Sequence, residues 1–405
     1  MKLAIIDIIG IPYDGNTIDN QGLGGSESAV TLMARELSQI GFDVTVFNNC
    51  GIDHAIPGNY NGVEYCPLTS LANDYTFDIV ISSRTVIPFT DPKDYGRLGD
   101  SRAQPFQGMN LYDRILAKAK MRILWMHDTF CLGDNIIEEL AVADRITDIF
   151  TLSDFHLTYV ANCNHGRRRN FEVLKRKMFI TRNGARNYRK EVDIKAKDHN
   201  LFVYNASVTK GMIPLVNLIW PKVKAMIPSA RLKVIGGYYR FSESSEPDQQ
   251  EKDWRRMAAD PRNLELDIEY TGVISQREIA DILTAASFMI YPSAFPETFG
   301  ISSLESLLYN TPIITCRFGA LEEIALEGAC YHIDYSIEPN GLFPDINSPE
   351  QVDKFVAMTI KAYLNRYLHQ QKQYYCNIVK DIAGWDSVAL QWKQLMAQRL
   401  GKYLS

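Results

Sequence analysis

Short apolar runs alternate with longer stretches of helical period along the first half of the chain, the pattern of parallel strands joined by crossover helices. Runs at 2–9, 43–47, 78–82, 122–127, 148–152 and 177–181 predict buried strands. Between the first two, residues 26–40 repeat at helical spacing and stop at Gly41, a residue type that readily takes the left-handed helix end. A second alternation begins near Leu201. It predicts strands at 201–204, 231–235, 264–270, 287–291 and 312–316, helices at 211–227, 275–285 and 298–309, and helix alone from about Ser348 onward. The Asn183-Gly184 turn and the polar stretch 190–200 separate the two alternations. The expected architecture is α/β, with two Rossmann-like doubly wound domains at 1–190 and 200–380.

Composition narrows this picture. A length of 405 residues with 46% hydrophobic and 22% charged residues suits folded domains with cores of their own. The net charge of −5 argues against a nucleic-acid coat protein. Seven scattered cysteines without a C-x-x-C pair suggest neither a disulfide framework nor a zinc ribbon, and a reducing, cytoplasmic setting is expected. No apolar run approaches the ~20 residues of a membrane span, so any membrane contact is expected to be peripheral. The 242–260 segment is polar, and no chemistry attaches to it.

Two motifs suggest chemistry. Gly22-Leu23-Gly24-Gly25-Ser26-Glu27 precedes the first long helix, where glycines let backbone amides approach an anion and the helix end adds partial positive charge. A Gly-rich surface turn would look the same. Glu27 stands where the dinucleotide fingerprint wants glycine, and no P-loop sequence occurs, so hydride transfer fits poorly. The second motif runs from Pro292 to Glu305, at the expected junction of a strand and a helix. Glu297 and Glu305 are eight residues apart, about 12 Å along a helix axis, a spacing suited to one long polar ligand. Carboxylates acting directly on one glycosidic bond would lie within about 5–9 Å.

The stretch 271–324, with Thr271-Gly272, the Glu297/Glu305 pair, Asn310-Thr311-Pro312-Ile313-Ile314 and Gly319-Ala320-Leu321-Glu322-Glu323-Ile324, resembles the donor-binding half of retaining glycosyltransferases of family 4, which have the GT-B fold. Gly24-Gly25-Ser26-Glu27 is similar to that family's phosphate loop, His127-Asp128 to its strand-end histidine, and Asn183-Gly184 to its pre-linker turn. Trp385-Asp386 resembles the start of its last helix, so that 385–405 would pack back on the first domain. The resemblance implies two domains facing each other across a cleft, acceptor on the first and donor on the second.

It also implies transfer of a sugar from a nucleotide diphosphate to an acceptor hydroxyl with retained configuration, and neither metal nor cofactor. Lys210, the helix start at Phe299-Gly300-Ile301 and the Gly24-Gly25 amides would stabilise charge on the leaving phosphate. His127 would contact the sugar, Glu297 would hold its hydroxyls and Glu305 the ribose. The acceptor would be a glycan or a lipid-linked glycan, in cell-surface polysaccharide or lipid-linked assembly. An epimerase on the same fold and a non-catalytic sugar-nucleotide-binding subunit are the competing functions.

One departure from the family pattern stands out. Asn205 occupies the position of an arginine expected five residues before Lys210, leaving Asn205 and Ser207 to give neutral hydrogen bonds to phosphate and Arg182, Arg186 and Arg317 as candidate substitutes. Charge is also uneven. Residues 161–190 carry ten bases and one acid, a stretch of +9 set against −14 elsewhere. Such a stretch suits peripheral contact with an anionic membrane at its inner face, a phosphorylated acceptor, or a solvated helix face balanced by acidic neighbours.

Overall fold

The computed structural model describes residues 1–98, 106, 109–131, 133–162, 171–188, 191–236, 249–337, 343–380 and 382–404. The chain divides into two compact units. The first comprises Met1–Ile18, Leu23–Gly184 and Trp385–Ser405; the second comprises Asp19–Gly22 and Ala185–Gly384.

The first unit is built on an eight-stranded sheet: β1 (Lys2–Ile6), β2 (Asp43–Asn48), β3 (Gly58–Tyr60), β4 (Val63–Pro67), β5 (Ile79–Ser83), β6 (Met121–Trp125), β7 (Asp148–Thr151) and β8 (Met178–Ile180). Their spatial order is β3-β4-β2-β1-β5-β6-β7-β8. All neighbours are parallel except β3, which pairs antiparallel with β4. Central strands are apolar on both faces because helices cover both, and β1, β5 and β6 are buried almost throughout. Helix α1 (Gly25–Gln39) follows β1, with Gly41 at φ +98° just past its end.

The second unit has a six-stranded sheet, with β9 (Asp198–Asn205), β10 (Arg231–Ile235), β11 (Ile268–Gly272), β12 (Ala286–Tyr291), β13 (Ile313–Cys316) and β14 (Tyr331–Ile333) in the order β11-β10-β9-β12-β13-β14. Helix α2 (Ile301–Leu308) follows β12, and the helices α3 (Pro349–Leu364), α4 (Arg366–Tyr375) and α5 (Asn377–Lys380) close the unit. The last helix, α6 (Trp385–Leu404), belongs to the first unit, where Trp392 is fully buried against Trp125 and Phe150.

Four local differences from the sequence pattern have physical causes. The strand expected at 264–270 begins at Ile268, because Pro261, its φ preset near the helical value, starts a helical turn at Arg262–Glu265. The helix expected from 298 begins at Ile301, because Gly300 is left-handed at φ +87° and the chain turns there first. Within 211–227 the segment Leu215–Ile219 widens to i→i+5 bonding just before Pro221, which has no amide hydrogen to continue the α ladder. The edge strands β3 and β14, of three residues each, offer too few alternations to stand out in the sequence.

Candidate active site

In each sheet the chain leaves the first strand toward one side and later returns to pair on its other side, between β1 and β5 and between β9 and β12. Such switch points open a crevice at the carboxyl ends of the strands, where α/β sheets hold ligands. The candidate residues divide between these two places.

In the second unit Lys210 follows β9 and Glu297 follows β12. The Lys210 ammonium lies 2.8 and 3.0 Å from the two Glu297 carboxylate oxygens. Glu297 is buried, and the Tyr291 hydroxyl donates to it from the end of β12. Two glycines bring this pair together. Gly211, at φ +99°, lets the turn after Lys210 lie against β12's exit; a Cβ there would fall 2.1 Å from the Pro292 carbonyl oxygen. Gly319, at φ +63°, packs backbone against Glu297, where a Cβ would stand 2.9 Å from its amide nitrogen and its carbonyl oxygen. The Ala320 amide then donates to the Glu297 carbonyl at 2.8 Å. Lys210 also sits 4.8 Å above the Phe295 ring.

Asn205, buried at the end of β9, adjoins Glu305 on α2. Burial pushes the Glu305 carboxyl up to about 7, against a downward pull from the neighbouring Asn205 amide. Ser207 is exposed, and its carbonyl receives the Tyr204 hydroxyl at 2.7 Å. Phe299 is buried and Gly300 caps α2, so the amides of Ile301 and its neighbours open onto the same sheet edge. Of the proposed substitutes for a second cation, Arg317 pairs with Glu327 at 2.6 Å and Arg186 with Asp19 at 2.9 Å.

In the first unit the Gly24-Gly25 turn starts α1. Glu27 folds its carboxylate back over the turn, so that a Cβ on Gly24 would lie 2.4 Å from Oε2. Arg84, left-handed at φ +64° just beyond β5, grips Glu27 at 2.8 Å and Asp7 at 3.0 Å. Tyr13 donates to the other Asp7 oxygen at 3.0 Å. Burial raises the Asp7 carboxyl while Arg84 draws it down, and the two carboxylates hold the guanidinium more firmly protonated still.

His127, just beyond β6, is buried with its ring 4.2 Å from that of Trp125. Burial, then Arg84 and His156, hold it well below the usual histidine range, so the imidazole is neutral. The loop after it is pinned by His156, whose Nδ1 accepts from the Leu152 amide at 3.2 Å and whose Nε2 therefore donates to the Asp128 carbonyl at 2.9 Å.

Sequence reasoning missed Tyr291, Arg84, Asp7 and Tyr13. Glu27 carried the available signal, as an acidic residue where a phosphate fingerprint would have glycine. Of the ten bases in 161–190, Arg167, Arg168, Arg169, Arg189 and Lys190 lie outside the described residues. Lys177 is spent on Asp144 and on the Ala141 and Ile146 carbonyls.

Residues 185–372 match the family described as Glycosyl transferases group 1. A GDP-mannose-dependent alpha-(1-6)-phosphatidylinositol dimannoside mannosyltransferase of Mycobacterium tuberculosis is 44% identical over 68 residues, which span 16% of this chain and 18% of that protein. The fold is similar to those of Anabaena HepE bound to UDP and glucose (TM-score 0.63, 12% identity, 98% of this chain and 100% of the other) and sucrose-phosphate synthase from Thermosynechococcus elongatus (TM-score 0.64, 14% identity, 99% and 100%). The chain thus has the two α/β units of GT-B glycosyltransferase structures, and its residues 185–372 are similar to the glycosyl transferases group 1 family.

Proposed function

We propose that the protein transfers a sugar from a nucleotide diphosphate donor to the hydroxyl of a glycan or lipid-linked glycan acceptor, with retention of the anomeric configuration and without a metal ion. The observation that carries this is the Lys210–Glu297 pair, set by two glycines at the switch point of the region similar to glycosyl transferases group 1. On this reading Lys210 would be the cation that meets charge growing on a leaving phosphate, beside a carboxylate able to accept from sugar hydroxyls. The α2 amides at Phe299-Gly300-Ile301 and neutral donors from Asn205 and Ser207 would add to Lys210, and the Gly24-Gly25 amides would meet phosphate in their turn. Glu305, with a carboxyl near neutrality, would take the ribose diol and shed its proton as it does so. His127 would contact the sugar as a neutral imidazole, which suits a ring gaining positive charge better than an imidazolium would.

Two similar proteins favour this reading: one is GDP-mannose-dependent, another was solved with UDP and glucose. A peripheral contact through 161–190 belongs to the same proposal, supported by the exposed Lys175, Arg176 and Arg182. Among the described residues no helix is long and apolar enough to cross a membrane.

The test is nucleotide release and product formation with a panel of UDP- and GDP-sugars, with and without chelator. Lys210→Ala and Glu297→Ala should each lower transfer at least about tenfold, the loss expected when a preorganised charge leaves a site of this kind. Unchanged rates in folded variants would overturn the assignment of the pair. Conversion of donor alone to an epimer would replace transfer with epimerisation.

A further inference from the structure

Helices α4 and α5 bury one face and expose large apolar side chains on the other. The inner face is fully engaged. His369 meets the Tyr331 hydroxyl at 3.2 Å, Lys372 donates to the Glu327 and Cys330 carbonyls at 2.9 and 2.6 Å, and Asn310 donates to the Gln373 carbonyl at 2.6 Å. These contacts settle which way the helices face. The opposite side carries Tyr367, Tyr374 and Ile378, seven and four residues apart and therefore in line, with Tyr375 beside them. They are 74%, 50%, 55% and 55% exposed, and Leu364 and Ile382 flank them at 71% and 57%. Six large apolar side chains exposed within 19 residues exceed the single scattered ones of an ordinary surface.

Basic residues outnumber acidic ones along this part of the chain. From Lys354 to Lys380 there are five bases and no acid until Asp381, which lies outside the described residues. Lys354 is paired with Glu350, Lys372 is turned inward and Lys380 lies toward the buried Cys376 and Lys197, which leaves Lys361 and Arg366 exposed and without an ion pair among the described residues. Gly328 lies under the Tyr375 ring, and the acid preceding it, Glu327, is held by Arg317.

We propose that this outer face of α4 and α5 docks on an anionic lipid bilayer. A second copy of the chain is disfavoured by symmetry, since a twofold contact would set bases against bases. Tyrosine, with an apolar ring and a polar tip, is suited to the headgroup boundary, and aliphatic tips with flanking cations are the usual composition of a surface lying in that boundary. The inference is independent of the proposed reaction, because it concerns binding alone.

Flotation of the full chain with vesicles of phosphatidylcholine, alone or mixed with phosphatidylglycerol, tests it. Wild type should float with the mixed vesicles at low salt and remain below with phosphatidylcholine. Tyr374→Ser combined with Ile378→Ser should lower the floated fraction about tenfold, and so should Lys361→Glu combined with Arg366→Glu. If the serine pair proves less stable than wild type, Tyr367→Ser supplies the same reading at the most exposed position. Failure of wild type to float with either vesicle overturns the proposal. So does binding that survives these changes and disappears with Lys175→Glu and Arg176→Glu, which would place the contact on the 161–190 stretch, or capture of an acidic protein by this face with no affinity for lipid.

Discussion

At the scale of single residues, the second unit gives two glutamates different surroundings. Glu297 has an ammonium and a phenol on it, whereas Glu305 has burial and an amide. Glu305 therefore carries a linkage between pH and stability. Its ordinary value is near 4.5 and its folded value about 7, so between these pH values the unfolded chain loses the proton while the folded one keeps it. Stability then falls as pH rises through that window and is level again above it. Glu305→Gln removes the dependence. Relative to wild type the variant should gain about 2 kcal/mol between pH 4 and pH 8, allowing for partial exposure of the residue. Urea unfolding at both pH values reads this, and an equal difference at both would show that the Glu305 carboxyl is not raised. The E-x7-E spacing was plain in the sequence, but the different surroundings of its two members were not. They come from Tyr291, Lys210 and Asn205, and Lys210 is 87 residues from its partner. The Asp7–Arg84–Glu27 cluster was hidden for the same reason, since Arg84 meets Asp7 only through the pairing of β1 with β5.

At the scale of elements, glycines decide how closely turns approach strands. Gly211 and Gly41 have nearly the same backbone, φ +99° and +98°, but opposite surroundings. A Cβ on Gly41 meets nothing within 4 Å, whereas one on Gly211 would lie 2.1 Å from a backbone oxygen that cannot swing away. Gly41→Ala should cost only the left-handed penalty of about 1–2 kcal/mol. Gly211→Ala should cost more, and by pushing the turn off β12 it should also loosen Lys210 from Glu297. Thermal unfolding compares the two, and nucleotide-sugar binding should weaken in Gly211→Ala alone. Equal losses of stability, with binding intact in both, would contradict the close approach. Strand and helix positions were largely legible because burial on both sheet faces leaves continuous apolar runs, and β10 begins and ends where its run does. Helix starts were less legible. The exit from β12 stays irregular to Gly300 because Glu297 and Ser293 are used in turns before any helix forms.

At the scale of the whole molecule, two rounds of strand and helix were enough to give the α/β class with two parallel sheets, which the likeness to GT-B structures shows. Strand order was beyond the sequence pattern, because it is set by pairings between strands far apart in the chain. The place of α6 came from a family likeness and not from its own period. Its packing gives it a structural task. Trp392 lies edge-on to Trp125 at 4.7 Å and to Phe150 at 4.9 Å, Arg399 reaches the buried Asp148 at 2.5 Å, and Lys393 donates to the Ile40 carbonyl at 2.9 Å. The first unit thus takes part of its core from the last 20 residues, after the second sheet is complete in sequence. Trp392→Ala should remove about 3–5 kcal/mol, the usual cost of emptying a large aromatic site. The loss should be local to that unit. Hydrogen exchange should rise in β6 and β7, at Met121–Trp125 and Asp148–Thr151, while β9 and β12 keep their protection. Equal deprotection of both sheets would mean that the two units open together, and unchanged exchange in β6 would mean that α6 covers that strand without supporting it.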